Sequence, residues 1–306
     1  MIAINPDKPR EECAVFAIAG HEDAAQFTAL GLHALQHRGQ EATGMAVYDG
    51  REILVRRDEG LVGDVFSAQG NIAVHKIGGF TAIGHNRYST QGKSGQNNAQ
   101  PIYADLEFGG LSMAHNGQFT NARSLRKKLV KEGSIFQSTT DTETLMHLIA
   151  HSSGDVLSRL RNALATIKGA YALVILTQEG IYGARDPVGI RPLILGKLDA
   201  AHILCSETVG LDIIGAEFVR EIAPGEIVHI ANDGTLTTIK PLRSIQPRPC
   251  LFEFVYFSRP DSFLHGKSIY DVRKNTGREL AREYPLQADV VVSIPDSGNP
   301  AALGYA

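Results

Sequence analysis

Short apolar stretches rich in Val, Ile and Tyr recur along the first 240 or so residues, and they come in consecutive pairs. That pairing constrains the fold more than any other feature. Strands joined by short turns lie antiparallel, whereas parallel neighbours need a crossover of about a dozen residues or more. The stretches cover 13–20, 43–50, 52–58, 80–88, 111–117, 171–178, 180–186, 193–197 and 202–207, and many end at Gly or Asp. Helical periodicity is confined to separate blocks. Phe27, Leu30, Gly31, Ala34 and Leu35 form one stripe, and Val156, Leu160, Ala163, Leu164 and Ile167 form another. Each stripe covers one face, so these helices are predicted to lie on sheets. Helices at 122–131, 141–151 and 155–167 cluster together, which favours mostly antiparallel sheets covered by helices over strict βαβ alternation.

With 306 residues, 43% of them hydrophobic, the chain can bury one large core or two modest ones. A net charge of −3 argues against a general nucleic-acid binder, although local arginines can still hold small anions. Cys13, Cys205 and Cys250 are odd in number and widely spaced, which is not a disulfide framework. Residues 1–12 carry prolines and charges where a signal peptide needs an apolar core, and the longest apolar run, 170–176, is far short of a membrane span. A soluble cytoplasmic protein without membrane or nucleic-acid partners is expected.

The character changes after about residue 240. PLRSIQPRPC (241–250) is proline-rich and basic and reads as a linker or domain edge. FEFVYFSRPDS, a helix around 270–282 and the run ADVVVSI (288–294) follow. The last reads as a strand buried on both faces, as in a parallel sheet, with a helix beginning after it. One such strand cannot complete a sheet, so the second domain reads as cut short.

Cys13 follows Glu11 and Glu12 and opens an apolar strand. Alone, it reads as a small buried hydrophobe. As a nucleophile it would need a base, oxyanion donors and substrate anchors. If the chain were cut before Cys13, making 1–12 a propeptide, the freed α-amino group would sit beside the thiol. With a reference pKa of about 8, it could take the thiol proton. Asn116-Gly117, at the end of a strand, is either a turn pair or two donors for an oxyanion. Arg87, where a strand runs into a polar loop, is either a solvated strand end or a grip for a carboxylate, with Thr90 three residues on. Thr140 and Glu143 have capping-box spacing, so Asp141 is either a charge in a first helical turn or the partner of a substrate ammonium.

In combination, CAVFAI, LQHRGQEATGMA (35–46), GHNRYST, HNGQFTN (115–121) and TTDTE (139–143) resemble the class II glutamine amidotransferases. The resemblance runs from about Glu11 to Ala306. It implies an α+β fold, the four-layer α-β-β-α sandwich of the N-terminal-nucleophile hydrolases, over 13–240. HRGQE (37–41), FEFVYFSRPDS and IPDSG resemble the branch in which this sandwich is followed by an α/β type I phosphoribosyltransferase domain, here the incomplete 241–306. In that reading Cys13 attacks the glutamine amide, Asn116 and Gly117 hold the oxyanion, Arg87 grips the α-carboxylate and Asp141 the α-ammonium, with Thr90 nearby. Ammonia then displaces pyrophosphate from phosphoribosyl pyrophosphate, giving phosphoribosylamine for purine synthesis. The resemblance also implies a pyrophosphate loop at 295–298 with Ser297 near Mg2+, and matches Cys250 to the first ligand of a [4Fe–4S] cluster present in some members. The other three thiolates would lie beyond Ala306. A homo-oligomer is expected. The acidic pair and the Gly/Thr-rich loop that complete the second site of family members do not occur here, so this chain by itself is expected to perform only the glutaminase half.

Three other readings compete. One is a different amidotransferase of the class, such as a glucosamine-6-phosphate or asparagine synthase. Another is a stand-alone amide hydrolase, against which the start of a phosphoribosyltransferase domain speaks. The last is a non-catalytic fragment.

Overall fold

Two antiparallel sheets dominate the computed structural model, which describes residues 13–66, 73–88, 96–239 and 246–306. The expected propeptide, Thr90 and half of the expected linker lie outside the described residues. The strands are β1 (Ala14–Ala19), β2 (Ala42–Tyr48), β3 (Ile53–Glu59), β4 (Thr81–Arg87), β5 (Ile102–Leu106), β6 (Gly109–Phe119), β7 (Gly169–Thr177) and β8 (Gly180–Arg185). Then come β9 (Ile194–Leu198), β10 (Ala201–Cys205), β11 (Glu217–Glu221), β12 (Ile227–Ala231), β13 (Leu236–Ile239), and a small hairpin of β14 (Phe263–Leu264) and β15 (Lys267–Ser268). The helices are α1 (Ala24–Ala34), α2 (Val62–Val65), α3 (Ala122–Lys131), α4 (Thr142–His151), α5 (Val156–Thr166), α6 (Val209–Asp212), α7 (Ile269–Glu283) and α8 (Gly298–Tyr305). One sheet runs β11-β9-β10-β1-β4-β2-β3 and the other β13-β12-β8-β7-β6-β5.

Alternation along β1 builds the layers. Phe16 and Ile18 point to α1 and pack with Leu32 and Leu35. Val15, Ala17 and Ala19 point the other way and meet Ala114, Val174 and Leu176 of the second sheet. Beyond that sheet, Met113, Leu173 and Ile175 pack against Leu145, Ile149 and Leu160 of α4 and α5. The order is helix, sheet, sheet, helix, as the family resemblance implies, with antiparallel sheets covered by helices as the strand pairing implies. Each fully buried Leu, Ile or Phe contributes roughly 1.5–3 kcal/mol, so three such layers account for why the chain folds this way. Gly31, which counted toward the helical stripe, is needed for the opposite reason: a Cβ there would lie 2.2 Å from the Phe16 ring. Among the described residues no helix is long and apolar enough to cross a membrane.

Three local expectations are corrected. Asn116-Gly117 does not end its strand, because β6 continues to Phe119 with Gly117 paired to Tyr171. Nor does the capping box form: Glu143 accepts hydrogen bonds from the Gln137 and Ser138 N–H groups and the Ser138 hydroxyl instead. The Glu143 carboxylate thus holds the loop entering α4, which frees Asp141 for other contacts. Thirdly, ADVVVSI is not a strand buried on both faces. None of the described strands pairs with it, and Val290, Val292 and Ile294 are 72%, 83% and 85% exposed. A β-branched apolar run specifies a strand only when a neighbour accepts its backbone hydrogen bonds.

Residues 246–262 return to the sandwich. The Arg248 N–H donates to Val188 O (2.8 Å), and a wide turn of π-helical geometry, Glu253–Phe257, tucks Glu253 inward to 3% exposure.

Candidate active site

Cys13 stands immediately before β1, half-buried, with its Sγ 3.6 Å from the Tyr88 carbonyl oxygen. It shares a narrow cleft with Arg87, His115, Gly117 and Asp141. Burial pushes the thiol above its ordinary pKa. A backbone hydrogen bond at Tyr88 and the positive charges of Arg191, Arg87 and Arg38 oppose that rise without cancelling it. The thiol is therefore protonated at neutral pH and needs a base before it can attack.

Arg87 is the last residue of β4, 5% exposed, and its Nη2 has no hydrogen-bond partner among the described residues. Its neighbour on the same face, His85, donates from Nε2 to the His115 carbonyl of the second sheet (3.1 Å). Burial holds the His85 pKa down to about 3, so the ring is neutral. Asp141 accepts from the Phe119 N–H through Oδ2 (2.7 Å), and its Oδ1 lies 3.7 Å from His115 Nδ1. Burial would raise this carboxyl, but the His115 charge and the hydrogen bonds to it outweigh burial and keep it below its ordinary pKa. An anionic Asp141 and a cationic Arg87 on one cleft suit a zwitterionic amino-acid ligand.

Asn116 is 1% exposed, and neither Nδ2 nor Oδ1 has a hydrogen-bond partner among the described residues. An unsatisfied buried polar group costs about 1–3 kcal/mol, so such an amide stands out as one held ready for a ligand atom. On β6 it faces the inter-sheet side, in step with Ala114. Gly117 adopts φ +139°, and a Cβ there would sit 2.1 Å from Ala170 O, so the chain can place only glycine beside Asn116. Of the residues expected to serve glutamine, Cys13, Arg87, Gly117 and Asp141 line one cleft and Asn116 precedes Gly117 in β6, while Thr90 lies outside the described residues.

Sequence reasoning missed a second cluster behind Cys13. Arg38, fully buried, donates from Nε to the Cys13 carbonyl oxygen (3.0 Å). Its Nη1 reaches Glu207 Oε1 (2.6 Å) and Glu253 Oε2 (2.9 Å), and its Nη2 reaches Glu253 Oε1 (2.8 Å). Glu207 also meets His37 Nε2 (2.8 Å), the Arg259 N–H (2.9 Å) and the Ser262 hydroxyl (2.6 Å). Burial would raise the Glu207 and Glu253 carboxyls, yet His37 and Arg38 around Glu207, and Arg38 and Arg191 around Glu253, hold both below their ordinary range. The available signal was a glutamate inside the aromatic run FEFVYF, where a charge is buried only if paired.

Elsewhere, Ser297 precedes α8 and lines a cleft of about 690 Å³ with His37, Arg259, Arg273 and Asp296. Cys250 is half-buried, whereas Cys205 is fully buried in β10 with its Sγ 3.1 Å from Glu207 O. Among the described residues no three His, Cys, Asp or Glu side chains gather as metal ligands.

The family model described as a glutamine amidotransferase domain matches residues 85–212. Curated amidophosphoribosyltransferases from Rhizobium etli and Synechococcus elongatus are 49% and 43% identical over 99% and 98% of this chain, which covers 62% of each. The solved glutamine phosphoribosylpyrophosphate amidotransferase from B. subtilis, complexed with ADP and GMP, matches with a TM-score of 0.90 at 41% identity. That match covers 96% of this chain and 63% of the B. subtilis chain. Fold and matches are those of the class II glutamine amidotransferases. Along almost its whole length the chain is similar to amidophosphoribosyltransferases, and it spans about three fifths of the length of the curated relatives it matches.

Proposed function

We propose that this chain carries the glutamine-hydrolysing half of an amidophosphoribosyltransferase, with Cys13 as nucleophile once residues 1–12 are removed. The observation that carries the reading is the convergence of Cys13, Arg87, Gly117 and Asp141 on one cleft, beside Asn116, whose amide has no partner among the described residues. Arg87 and Asp141 would hold the α-carboxylate and α-ammonium of glutamine, setting its side-chain amide against Sγ. The freed α-amino group of Cys13 takes the thiol proton, sulfur attacks the amide carbon, and the oxyanion is met by the Asn116 amide and the Gly117 N–H. The amino group passes its proton to the leaving nitrogen, the C–N bond breaks, and ammonia departs. Water then hydrolyses the thioester, giving up its proton through the same amine, and glutamate leaves with the thiol restored.

In the longer protein, ammonia would displace pyrophosphate from phosphoribosyl pyrophosphate to give phosphoribosylamine. The names of the relatives and the Ser297 loop on its cleft support this half. Magnesium at Ser297 and an iron–sulfur cluster at Cys250 would need further donors from the part of the relatives that this chain does not span. The chain's own residues supply at most one thiolate for such a cluster, since Cys205 is packed in the core and Cys13 is the nucleophile of this reading.

Glutamine hydrolysis by the purified chain tests the reading. Cys13→Ala is expected to abolish it and Cys205→Ala to leave it largely intact. The mass of the mature chain should place its N-terminus at Cys13. Activity that survives in Cys13→Ala would overturn the assignment.

A further inference from the structure

We propose that Glu253, supplied by the C-terminal segment, is a positioning residue for Cys13 and acts through Arg38. The inference rests on Cys13 being the nucleophile. Arg38 holds the Cys13 carbonyl at 3.0 Å, and that carbonyl is one bond from the Cα that carries both the thiol arm and the α-nitrogen. Fixing the carbonyl, together with the Val15 N–H donating to the Ser206 hydroxyl (3.0 Å), sets where both reacting groups of Cys13 point. What fixes the guanidinium is the two-point grip of Glu253, Nη1 to Oε2 and Nη2 to Oε1, with Glu207 adding a third bond. Glu253 is itself held by the Ser258 hydroxyl (2.9 Å) and by Arg191 (3.4 Å). Buried ion pairs of this kind contribute little net stability against apolar replacements, and fixing a unique geometry is among their attested uses. Here the geometry fixed is that of the nucleophile's own backbone. The sandwich therefore does not complete its reactive residue alone, because one of the carboxylates that aims it comes from a turn more than two hundred residues later in the chain.

Two substitutions separate position from charge. Glu253→Gln cannot keep the two-point grip, since one of its two terminal atoms becomes a donor facing the donors of Arg38. Glu253→Asp keeps the charge and both oxygens on an arm one methylene shorter, drawing the guanidinium back from Cys13. In each variant kcat for glutamine hydrolysis, per folded molecule, should fall roughly 10- to 100-fold, because a displacement of about 1 Å at the reacting groups costs about that much. KM for glutamine should stay within about twofold, as Arg87 and Asp141 are untouched. With carbonyl-13C cysteine, the resonance lost in Cys13→Ala identifies Cys13, and it should move in both variants. Unchanged kcat with an unmoved carbonyl resonance would overturn the proposal and leave Glu253 a structural residue only. If neither variant folds, Ser258→Ala, which removes a single bond to Glu253, should shift both readouts in the same direction by a smaller amount; no shift would overturn the proposal. If the unsubstituted chain hydrolyses no glutamine, that failure belongs to the amidase reading, and the carbonyl resonance alone decides the positioning.

Discussion

On one side of Cys13, Arg38 binds Glu207, Glu253 and the Cys13 carbonyl. On the other, Asn116, Arg87 and His115 keep buried atoms with no hydrogen-bond partner among the described residues. Both clusters are polar and both are buried, yet the Arg38, Glu207 and Glu253 side chains at the centre of one are paired, with only His37 Nδ1 at its edge lacking a partner among the described residues, and the other is open. A closed cluster holds its geometry whether or not a ligand is bound. An open one carries an energetic cost that a ligand can relieve, which is how binding energy becomes available at a reacting centre. The difference assigns holding to the Arg38 side and reacting to the Asn116 side.

Substitutions should therefore damage stability on one side and turnover on the other. Arg38→Met leaves two buried carboxylates without their central cation, and a loss of about 3–5 kcal/mol in urea unfolding is expected. Equal stability would mean that the carboxylates had found other partners and that the cluster is not closed. Asn116→Ala should cost roughly 10²–10³ in kcat for glutamine hydrolysis, with a urea midpoint no lower than that of the unsubstituted chain, since the amide has no hydrogen-bond partner among the described residues. A large stability loss there would contradict the open state of this side. Asp141→Asn can still accept from the Phe119 N–H but loses its charge. It should raise KM for glutamine by about 10- to 100-fold with a smaller change in kcat, as expected when one charge-assisted contact to substrate is removed.

The smallest effect concerns pH. His85 is neutral in the fold, with its pKa held at about 3, below its ordinary value of 6.5. The unfolded chain binds this proton first, so the contribution of His85 to stability is complete above the unfolded value and is lost as pH falls below it toward the folded one. Over the first pH unit below 6.5 the loss should be about 1 kcal/mol, and His85→Gln, which can still donate to the His115 carbonyl, should flatten that part of the profile. The buried carboxylates act lower. Glu207 and Glu253 are held below 4.5, so their contribution is present above that value and disappears only on stronger acidification. A profile that stays flat down to pH 5 in the unsubstituted chain would show that His85 is solvated.

Much of the sandwich was legible in the order of residues. Period-two and period-3.6 patterns are local, so β1, β7 and α5 could be read within a residue or two, and the pairing of strands gave antiparallel sheets. The cleft residues were legible for a different reason: Cys13, Arg87, Gly117 and Asp141 fall in short motifs whose combination is specific even though each motif alone is ambiguous. Failures came where a local signal depended on a distant partner. ADVVVSI has the composition of a buried strand, but none of the described strands pairs with it. Thr140 and Glu143 have the spacing of a capping box, but Ser138 offers Glu143 better donors.

By itself, then, the sequence determined the layered α+β architecture and proposed the nucleophile, because both depend on short-range pattern and residue chemistry. Only the tertiary structure decided that Asn116 stays unpaired among the described residues and that Asp141 faces His115 while Arg38 holds Cys13 from behind. Residues 13, 38, 207 and 253 are brought together by chain reversals that no local periodicity records, and a buried charge reveals its role only when its partner is in place.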